Sequence, residues 1–380
     1  MVFIHGESYE WNSGNPYDGS VLASVGKVIV ITINFRLGIL GFLSTGESSW
    51  EQTATARGNY GLLDQIAALH WVKENIERFG GDPDNVTIFG HGYGAACVNL
   101  LMLSPFTERL RLFHRAIMMS GSALSSWAMV ENPKQYAVRV ARELDCYPRG
   151  ADGKPAIDMQ CLRRKPVEAY MRIDIEAPTY LTAFGPAVDG ITVKKDPLHL
   201  MTWENSRFGM YDLLFGVAKE EAYNFFNAND TRSGIDDRRR SGLLRTFVRN
   251  LFVYHQNELY WSVMNEYTDW EKPFQHPQTL RGSLLEAFGD SQFVAPVVEA
   301  GNLHTYVHID TYFYVFSYQT RRGDVGDDVG CIHGDELQYV FGAPIVGGSG
   351  LRHFVGNYSR QEKLLSESVI TYWTNFASTG

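Results

Sequence analysis

The stretch from Asn85 to Cys97, NVTIFGHGYGAAC, constrains the fold of this chain more than any other. The apolar run Val86 to Phe89 predicts a short strand, the glycines after it predict a tight turn, and the apolar residues that follow predict a helix. This is the setting of a nucleophile elbow, G-x-S-x-G, in which a strained turn exposes a serine above the end of a strand. Here the central position is Gly92, and a glycine has no side chain with which to attack a substrate.

The glycine pattern by itself leaves other interpretations open. Any strand that turns tightly into a helix favours glycine, because glycine adopts the positive φ angles of such turns at little cost. A dinucleotide-binding loop would read G-x-G-x-x-G, whereas the third glycine here, Gly94, falls one residue too early. The function of the stretch therefore depends on what the rest of the chain predicts.

The rest of the chain alternates between strand and helix patterns. From Leu62 to Phe79 apolar residues recur three and four positions apart, which predicts an amphipathic helix. The run Lys27 to Asn34 is apolar without alternation, which is typical of a strand buried on both faces of a parallel sheet. This alternation indicates an α/β fold with a central, mostly parallel sheet covered by helices. Further strands are predicted at Val2 to Ile4, His114 to Met119, Tyr211 to Ala218 and Thr311 to Phe316.

The second half of the chain is richer in helical patterns. Helices are predicted around Leu243 to Val253, Leu280 to Phe288 and Leu364 to Phe376. The charged cluster Asp236 to Arg240 is typical of a solvated helix start. No repeat or linker divides the sequence, so we expect residues 1–380 to form one domain with a large helical insertion.

Charge and hydropathy disfavour two classes of protein. The net charge of -9 argues against a nucleic-acid partner, because phosphate binding requires concentrated Lys and Arg. No apolar run approaches the length of a membrane-spanning helix. The chain opens without a signal peptide, which taken literally indicates a cytosolic protein. Met1 falls inside a predicted core strand, however, so we expect the chain to be a fragment truncated at both ends.

One block of the sequence reads GNYGLLDQIAALHWVKENIERFGGDPDNVTIFG, residues 58–90. It is the most characteristic of several blocks that resemble the carboxylesterase and cholinesterase family, whose members have the α/β-hydrolase fold. Further blocks follow the family order at residues 34–43, 115–128, 185–190 and 376–380. Gly92 and the segments at residues 97–101, 267–270, 333–342 and 371–380 are most similar to the neuroligins within this family. The similarity covers nearly the whole chain.

The resemblance implies a catalytic triad that has lost one member. The family residues occur in the order serine, acid, histidine, and they correspond here to Gly92, Glu221 and His333. Without an attacking oxygen the histidine has no proton to take. Glu221 and His333 also have a purely structural explanation, because a buried histidine and a carboxylate satisfy each other's hydrogen bonds.

The resemblance also implies an impaired oxyanion hole. The donors of the esterases correspond to the backbone N–H groups of Glu7, Ser8 and Tyr93. We expect the Glu7 carboxylate to repel an oxyanion and its Cβ to restrict the backbone relative to glycine. Ser8, Ser120 and Ser122 are alternative nucleophiles, but none lies on the elbow turn that exposes and activates a serine.

The resemblance to the neuroligins implies a non-catalytic adhesion protein of the postsynaptic plasma membrane. It implies a neurexin partner, with calcium possible at the interface, and no other cofactor. It further implies a homodimer in the full-length protein, whose first interface helices correspond to the region around Glu266 to Phe288, and a membrane anchor outside this fragment. The loop from Asn227 to Arg249 departs from the family pattern where partner contacts are expected. The alternatives are a serine hydrolase of this family and an inactive carrier of an apolar ligand.

Cysteines and sequons complete the prediction. The family has a disulfide at the place of Cys146 and Cys161, and reduced thiols are the alternative in a cytosolic protein. Sequons at Asn229 and Asn357 lie in polar sequence and predict glycosylation if the chain is secreted. The sequon at Asn85 directly precedes the predicted elbow strand, so we do not expect a glycan there. No cysteine or histidine spacing predicts a metal site.

Overall fold

A parallel sheet forms the centre of the molecule. The computed structural model describes residues 1–46, 55–149, 155–202, 207–272, 274–308, 310–320, 330–347, 353–354 and 356–380. The strands within these residues are β1 (Val2–Ile4), β2 (Ile31–Thr32), β3 (Thr87–His91), β4 (Arg115–Met119), β5 (Asp212–Ala218) and β6 (Thr311–Phe316). They lie in the order β2-β1-β3-β4-β5-β6, and all neighbours are parallel. This arrangement confirms the predicted α/β class.

The direction of the strand order reverses between β1 and β3. β1 pairs with β2 on one side and with β3 on the other, so that Phe3 lies opposite both Thr32 and Phe89. The loops that leave the carboxyl ends of two such strands diverge and open a crevice between them. The loop after β1 and the turn after β3 therefore face one crevice, and the turn after β3 contains Gly92.

Helices cover both faces of the sheet. In the described chain they are α1 (Ser20–Gly26), α2 (Gly38–Phe42), α3 (Tyr60–Asn75), α4 (Tyr93–Leu103), α5 (Pro105–Leu110), α6 (Pro133–Glu143), α7 (Met159–Arg164), α8 (Val167–Tyr170), α9 (Pro197–Thr202), α10 (Ala228–Ser233), α11 (Asp237–Leu251), α12 (Gln256–Glu266), α13 (Pro277–Gly289), α14 (Ala295–Thr305), α15 (Asp335–Val340), α16 (Ala343–Val346) and α17 (Arg360–Thr379). Successive residues of β3 point to opposite faces, so Ile88 belongs to one buried core with Leu101 of α4, and Phe89 belongs to a second core with Ile370 of α17.

The predicted helical insertion forms a third core beside the sheet. Leu244 of α11, Tyr260 of α12 and Leu284 of α13 share one buried cluster. The helices predicted in this region and at the chain end are confirmed, although each starts before the predicted residues and α11 ends at Leu251 rather than at Val253. None of the described helices combines the length and apolar composition that crossing a membrane requires.

The strand predicted at Lys27 to Asn34 is shorter than its apolar run. β2 contains only Ile31 and Thr32, and both are half-buried rather than buried on two faces. Lys27 has φ 54° where it ends α1, which turns the chain before the strand can start. β2 also lies at the edge of the described sheet, where one neighbour is missing. The prediction of a strand buried on both faces is therefore wrong.

One further prediction for the helical region needs correction. Asp236 caps α11 as expected, since its Oδ1 accepts from the Arg239 N–H at 2.7 Å. Arg240 is not solvated but buried, and it donates to the Tyr267 carbonyl oxygen at 3.0 Å and to Thr268 Oγ1 at 2.8 Å. The interface region implied around Glu266 to Phe288 stays a prediction; it includes α13, which is largely buried, and follows α12, which buries only Tyr260.

Candidate functional site

The turn between β3 and α4 has the shape of a nucleophile elbow although it carries no serine. Gly92 lies at φ 53° and ψ -117°, a conformation that residues with a Cβ rarely adopt. Its N–H donates to the Met119 carbonyl oxygen at 2.8 Å, and its own carbonyl oxygen accepts from the Ala96 N–H at 3.0 Å. A Cβ at Gly121 would lie 2.2 Å from the Gly92 carbonyl oxygen, so the loop after β4 approaches the elbow as closely as glycine allows. The elbow is thus fixed from both sides.

The acid and the histidine of the degenerate triad form a hydrogen-bonded pair beside this turn. Glu221 follows β5, and its Oε2 accepts from His333 Nδ1 at 2.5 Å. Its second oxygen, Oε1, accepts from the Ala218 N–H at 2.6 Å, so the buried carboxylate is held at both oxygens. A Cβ at Gly92 would lie 3.2 Å from His333 Nε2. The structure therefore brings the three triad positions together, with glycine where the nucleophile would stand.

The electrostatics of the pair favour a charged histidine. Burial lowers the pKa of His333, but the charge and hydrogen bond of Glu221 outweigh burial, and Glu336 and Glu7 act in the same direction. The net effect raises the pKa of His333 above its ordinary value. Glu221 therefore stabilises the charged form of His333, as the acid of a complete triad would.

A second buried layer beneath the pair consists of His91, Glu336 and Ser120. The His91 ring lies 4.3 Å from the His333 ring, and His91 Nε2 is 3.6 Å from Glu336 Oε1, which is too far for a hydrogen bond. The Ser120 hydroxyl donates to the same oxygen at 3.2 Å. Burial, reinforced by Glu221, raises the pKa of Glu336 to about 7, whereas burial and the charge of His333 lower the pKa of His91. Below about pH 7 both His91 and Glu336 are therefore neutral, and their contact is polar rather than an ion pair.

The sequence predictions missed His91 and Glu336. Glu336 lies in the first turn of α15, only three residues after His333, which precedes the helix. That spacing was the available signal. His91 gave no comparable signal, because its burial follows from being the last residue of β3.

The oxyanion loop retains a glycine-like backbone despite carrying a side chain. Glu7 has φ 75°, a left-handed conformation that is costly for a residue with a Cβ. The expectation that Glu7 would restrict this backbone is therefore wrong. The Ser8 hydroxyl oxygen accepts from the N–H groups of Glu10 and Trp11 at 2.9 and 3.3 Å, which stabilises the loop. Tyr93, the third donor position, is the first residue of α4.

A cavity of about 190 Å³ lies against the elbow. Its wall combines five aromatic rings with the Glu7 carboxylate and the Glu221–His333 pair. Trp127 is fixed there by donating from Nε1 to the Gln292 carbonyl oxygen at 3.2 Å, and its ring lies 4.4 Å from that of Tyr93. The lining residues are Glu7, Gly92, Tyr93, Trp127, Tyr180, Leu181, Glu221, Asn224, Phe225, Phe293 and His333.

Comparison with known proteins defines the family. The model of the carboxylesterase family matches residues 1–380. The chain belongs to the carboxylesterase family. This confirms the predicted α/β-hydrolase fold.

The relatives include several neuroligins. The chain is 43% identical to neuroligin-2 of Homo sapiens over 383 residues and 44% identical to neuroligin-3 of Mus musculus over 386 residues, and each match covers 100% of this chain and 44% of the relative. Neuroligin-1 of Caenorhabditis elegans is 36% identical over 398 residues, which cover 100% of this chain and 49% of that protein. The chain thus spans less than half the length of these relatives. The predicted resemblance to the neuroligins is confirmed.

The other candidate serines of this carboxylesterase-family chain have structural hydrogen bonds. Ser120 is fully buried and bonded to Glu336, and Ser122 is fully buried with its hydroxyl 3.2 Å from Asn99 Oδ1. Ser8 lies on the oxyanion loop, where its hydroxyl accepts the two N–H groups named above. None of these three hydroxyls occupies the elbow position that faces His333 Nε2.

The remaining predicted positions lie away from the cavity. Cys146 and Cys161 form a disulfide, with their Cα atoms 5.5 Å apart, as the resemblance implies. Asn229 is exposed on the first turn of α10 rather than in a loop, and Asn357 is exposed shortly before α17. Asn85 is also exposed, but its Oδ1 accepts from Arg115 Nη1 at 2.5 Å. Glycosylation at Asn229 and Asn357 stays a prediction.

Proposed function

We propose that this chain is the esterase-like domain of a cell-surface adhesion protein of the neuroligin type, without hydrolase activity. The observation that carries the proposal is the elbow, which has its backbone and its histidine–glutamate pair in place but Gly92 at the position of the nucleophile. A scaffold that keeps its architecture without an attacking group is most simply explained by use of its surface, because function lies in sites grafted onto folds.

The absence of hydrolysis is directly testable. We expect no turnover of short-chain aryl or choline esters by the purified chain above the rate in buffer, because His333 has no hydroxyl to deprotonate. Incubation with an organophosphonate followed by mass measurement of the intact chain gives an independent check. Stoichiometric labelling of any serine would contradict the proposal and favour a serine hydrolase of the same fold.

The proposed partner is neurexin, bound in a calcium-dependent way at the postsynaptic plasma membrane. The similarity to neuroligins over the whole chain supports this partner. The exposed basic residues at the start of α11 change the charge that this region presents to a partner, and charge complementarity governs the rate of association. The extracellular setting agrees with the disulfide, and we place the membrane anchor outside this chain.

The deciding experiment measures binding of the glycosylated ectodomain to neurexin domains on a sensor surface. We expect the ectodomain to bind when it is injected in calcium and to lose this binding when it is injected in chelator. Arg238→Glu is the test variant and reverses a charge on the exposed start of α11. Arg78→Glu is its matched control and reverses an exposed charge next to α3. No binding in either buffer, or equal binding in both, would contradict the proposed partner.

We also propose that the full-length protein forms a homodimer in which α12 takes part. α12 buries only Tyr260, and Trp261 beside it is 63% exposed. A two-fold interface requires both halves of its patch, so we expect this chain alone to associate weakly. Sedimentation of the full-length ectodomain and of this chain tests the proposal, and a stable dimer of this chain alone would place the interface elsewhere.

A second candidate function is that of an apolar ligand carrier, which the aromatic cavity favours. Its volume of about 190 Å³ is below the range of about 300–1,000 Å³ that is usual for small-molecule sites. Capture of neurexin by the ectodomain separates the adhesion protein from the carrier. Saturable binding of a fluorescent apolar probe that Trp127→Ala abolishes, without any neurexin capture, would favour the carrier.

A further inference from the structure

Three side chains at the opposite end of the sheet from Gly92 bring potential metal ligands together. Asp212 is the first residue of β5, and Asp310 directly precedes β6. His308 lies between α14 and β6, and its Nε2 is 3.0 Å from Asp212 Oδ1 and 3.8 Å from Asp310 Oδ2. One ligand atom from each of the three residues lies within 4.8 Å of the others.

These separations suit a tetrahedral metal ion. Zinc holds nitrogen and oxygen ligands at about 2.0–2.1 Å, which places neighbouring ligand atoms about 3.3 Å apart in a tetrahedron. The two measured separations of 3.0 and 3.8 Å bracket that distance. The Asp310 side chain is 57% exposed and can therefore move the short distance that complete ligation requires.

The surroundings provide an outer shell and space for solvent. Arg115 Nε lies 3.0 Å from Asp212 Oδ2, so the guanidinium orients this carboxylate and leaves Oδ1 directed at His308. Ligating carboxylates are commonly fixed in this way by a second layer of polar groups. Asp212 and His308 line a cavity of about 560 Å³, which offers room for water to complete the coordination.

We propose that Asp212, His308 and Asp310 form a binding site for a zinc-like divalent transition metal ion. One imidazole and two carboxylates suit such an ion better than calcium or magnesium, which prefer oxygen ligands alone. The ion would connect the starts of β5 and β6, which pair with Leu213 opposite Thr311. The role of the ion would be structural, since the elbow lies at the carboxyl end of β3, which is the opposite end of the sheet.

No pattern in the sequence indicated this site. Asp212 and His308 are 96 residues apart, and no spacing rule for metal ligands spans such a distance. The parallel pairing of β5 with β6 is what brings the beginnings of the two strands together. The sequence prediction of no metal site therefore rested only on local spacing.

Equilibrium dialysis of the chelator-treated chain against zinc tests the proposal. We expect one equivalent of zinc to bind and the melting temperature to rise with zinc concentration, because a ligand that binds only the native state stabilises it. His308→Gln and Asp310→Asn should each weaken zinc binding at least tenfold and remove the rise in melting temperature. Asp310→Asn changes the most exposed of the three side chains, so it remains informative if His308→Gln folds poorly.

The matched control is His199→Gln, which removes an exposed histidine outside the site and should leave zinc binding unchanged. Cobalt in place of zinc gives a second readout, since a four-coordinate cobalt ion absorbs visible light much more strongly than a six-coordinate one. If the native chain bound no zinc, or if both site variants bound it as tightly as the native chain, the three groups would be an ion-pair network with Arg115 and the proposal would be overturned.

Discussion

The backbone at Gly92 has the dihedral angles of a nucleophile elbow, yet the residue has no hydroxyl to activate. Glu7 shows the complementary case, because it has a side chain but keeps a left-handed backbone at φ 75°. The backbone of the site is held by its neighbours, such as the hydrogen bond from the Gly92 N–H to Met119. Single residues can therefore change the chemistry of this site without changing its shape.

Restoring the serine alone should restore little activity. A Cβ at Gly92 would lie 3.2 Å from His333 Nε2, a tight contact that requires the imidazole to shift. The Glu7 carboxylate would still oppose the oxyanion, and loss of one effective oxyanion donor costs about two to three powers of ten in rate. We expect Gly92→Ser to hydrolyse p-nitrophenyl acetate barely above buffer and Gly92→Ser with Glu7→Gly to be at least tenfold faster.

Gly92→Ala is the matched control for the serine variant. It adds the same Cβ and the same backbone strain but no hydroxyl, so it should be inactive in both backgrounds. A Gly92→Ser single variant with turnover comparable to that of an active esterase would show that Glu7 does not impair the oxyanion hole.

Glu336 should cost stability at neutral and alkaline pH. Burial raises its pKa from 4.5 in the unfolded chain to about 7 in the folded chain. Below pH 4.5 the carboxyl is neutral in both states, whereas above pH 7 the native state holds a buried charge. The shift corresponds to a penalty of about 3 kcal/mol at most. Glu336→Gln should therefore raise the free energy of unfolding at pH 8 and change it little at pH 4.

Urea unfolding at both pH values measures this difference. Glu143→Gln, which changes an exposed glutamate at the end of α6, is the control and should show no such pH dependence. A Glu336→Gln variant that was less stable than the native chain at pH 8 would mean that the charged carboxylate is needed for the contacts with His91 and Ser120.

At the scale of elements, α17 is the helix with the clearest local start. The Ser359 hydroxyl oxygen accepts from the Glu362 N–H at 3.2 Å, and Glu362 Oε2 accepts from the Ser359 N–H at 2.6 Å, which together form a capping box. Ser359→Ala should lower the free energy of unfolding by about 1 kcal/mol. Ser359→Thr keeps the cap and should be nearly neutral.

The capping prediction is best measured on unglycosylated protein. Ser359 is also the third residue of the Asn357 sequon, so the alanine variant would remove a glycan signal as well. Ser368→Ala, at an exposed position of the same helix, controls for loss of a hydroxyl. Equal destabilisation by Ser359→Ala and Ser368→Ala would show that the cap contributes nothing specific.

The sequence was sufficient wherever an element is defined by its own residues. The spacing from Leu62 to Phe79 predicted α3, although the α-helix ends at Asn75 and a 3-10 helix covers Ile76–Phe79, and the apolar run before Gly90 predicted β3. The prediction for β2 failed because an apolar run cannot show how many of its residues find a pairing partner. The prediction that Arg240 is solvated failed for the same reason, since its burial depends on the packing of α11 against the segment after α12.

The same holds for the candidate site, where local motifs could be predicted from the sequence and the effects of tertiary packing could not. The resemblance assigned Gly92, Glu221 and His333 to one site, and the structure brings them together. The resemblance assigned no role to His91 or Glu336. These two residues are buried beneath the Glu221–His333 pair because β3, β4 and α15 pack together there. Which groups share a proton depends on that burial and cannot be read from spacing alone.

At the scale of the whole molecule, the two ends of the sheet carry separate chemistry. The carboxyl ends of β1 and β3 hold the elbow and its cavity, whereas the amino ends of β5 and β6 hold Asp212 and Asp310. The body of the sheet separates the two places, so changes at one should add to changes at the other rather than couple with them.

The exposure of each sequon in the folded chain predicts which asparagines carry glycans. In protein secreted from eukaryotic cells we expect glycans at Asn229 and Asn357, whose side chains are exposed, and none at Asn85. The Asn85 amide oxygen is bonded to Arg115, and its Nδ2 lies 3.5 Å from the Ser378 carbonyl oxygen, so the side chain is held against the end of α17. Mass measurement should show one glycan lost in each of Asn229→Gln and Asn357→Gln, with Asn85→Gln unchanged as the control. A glycan at Asn85 would mean that this segment remains open to the modifying enzyme before β3 and α17 come together.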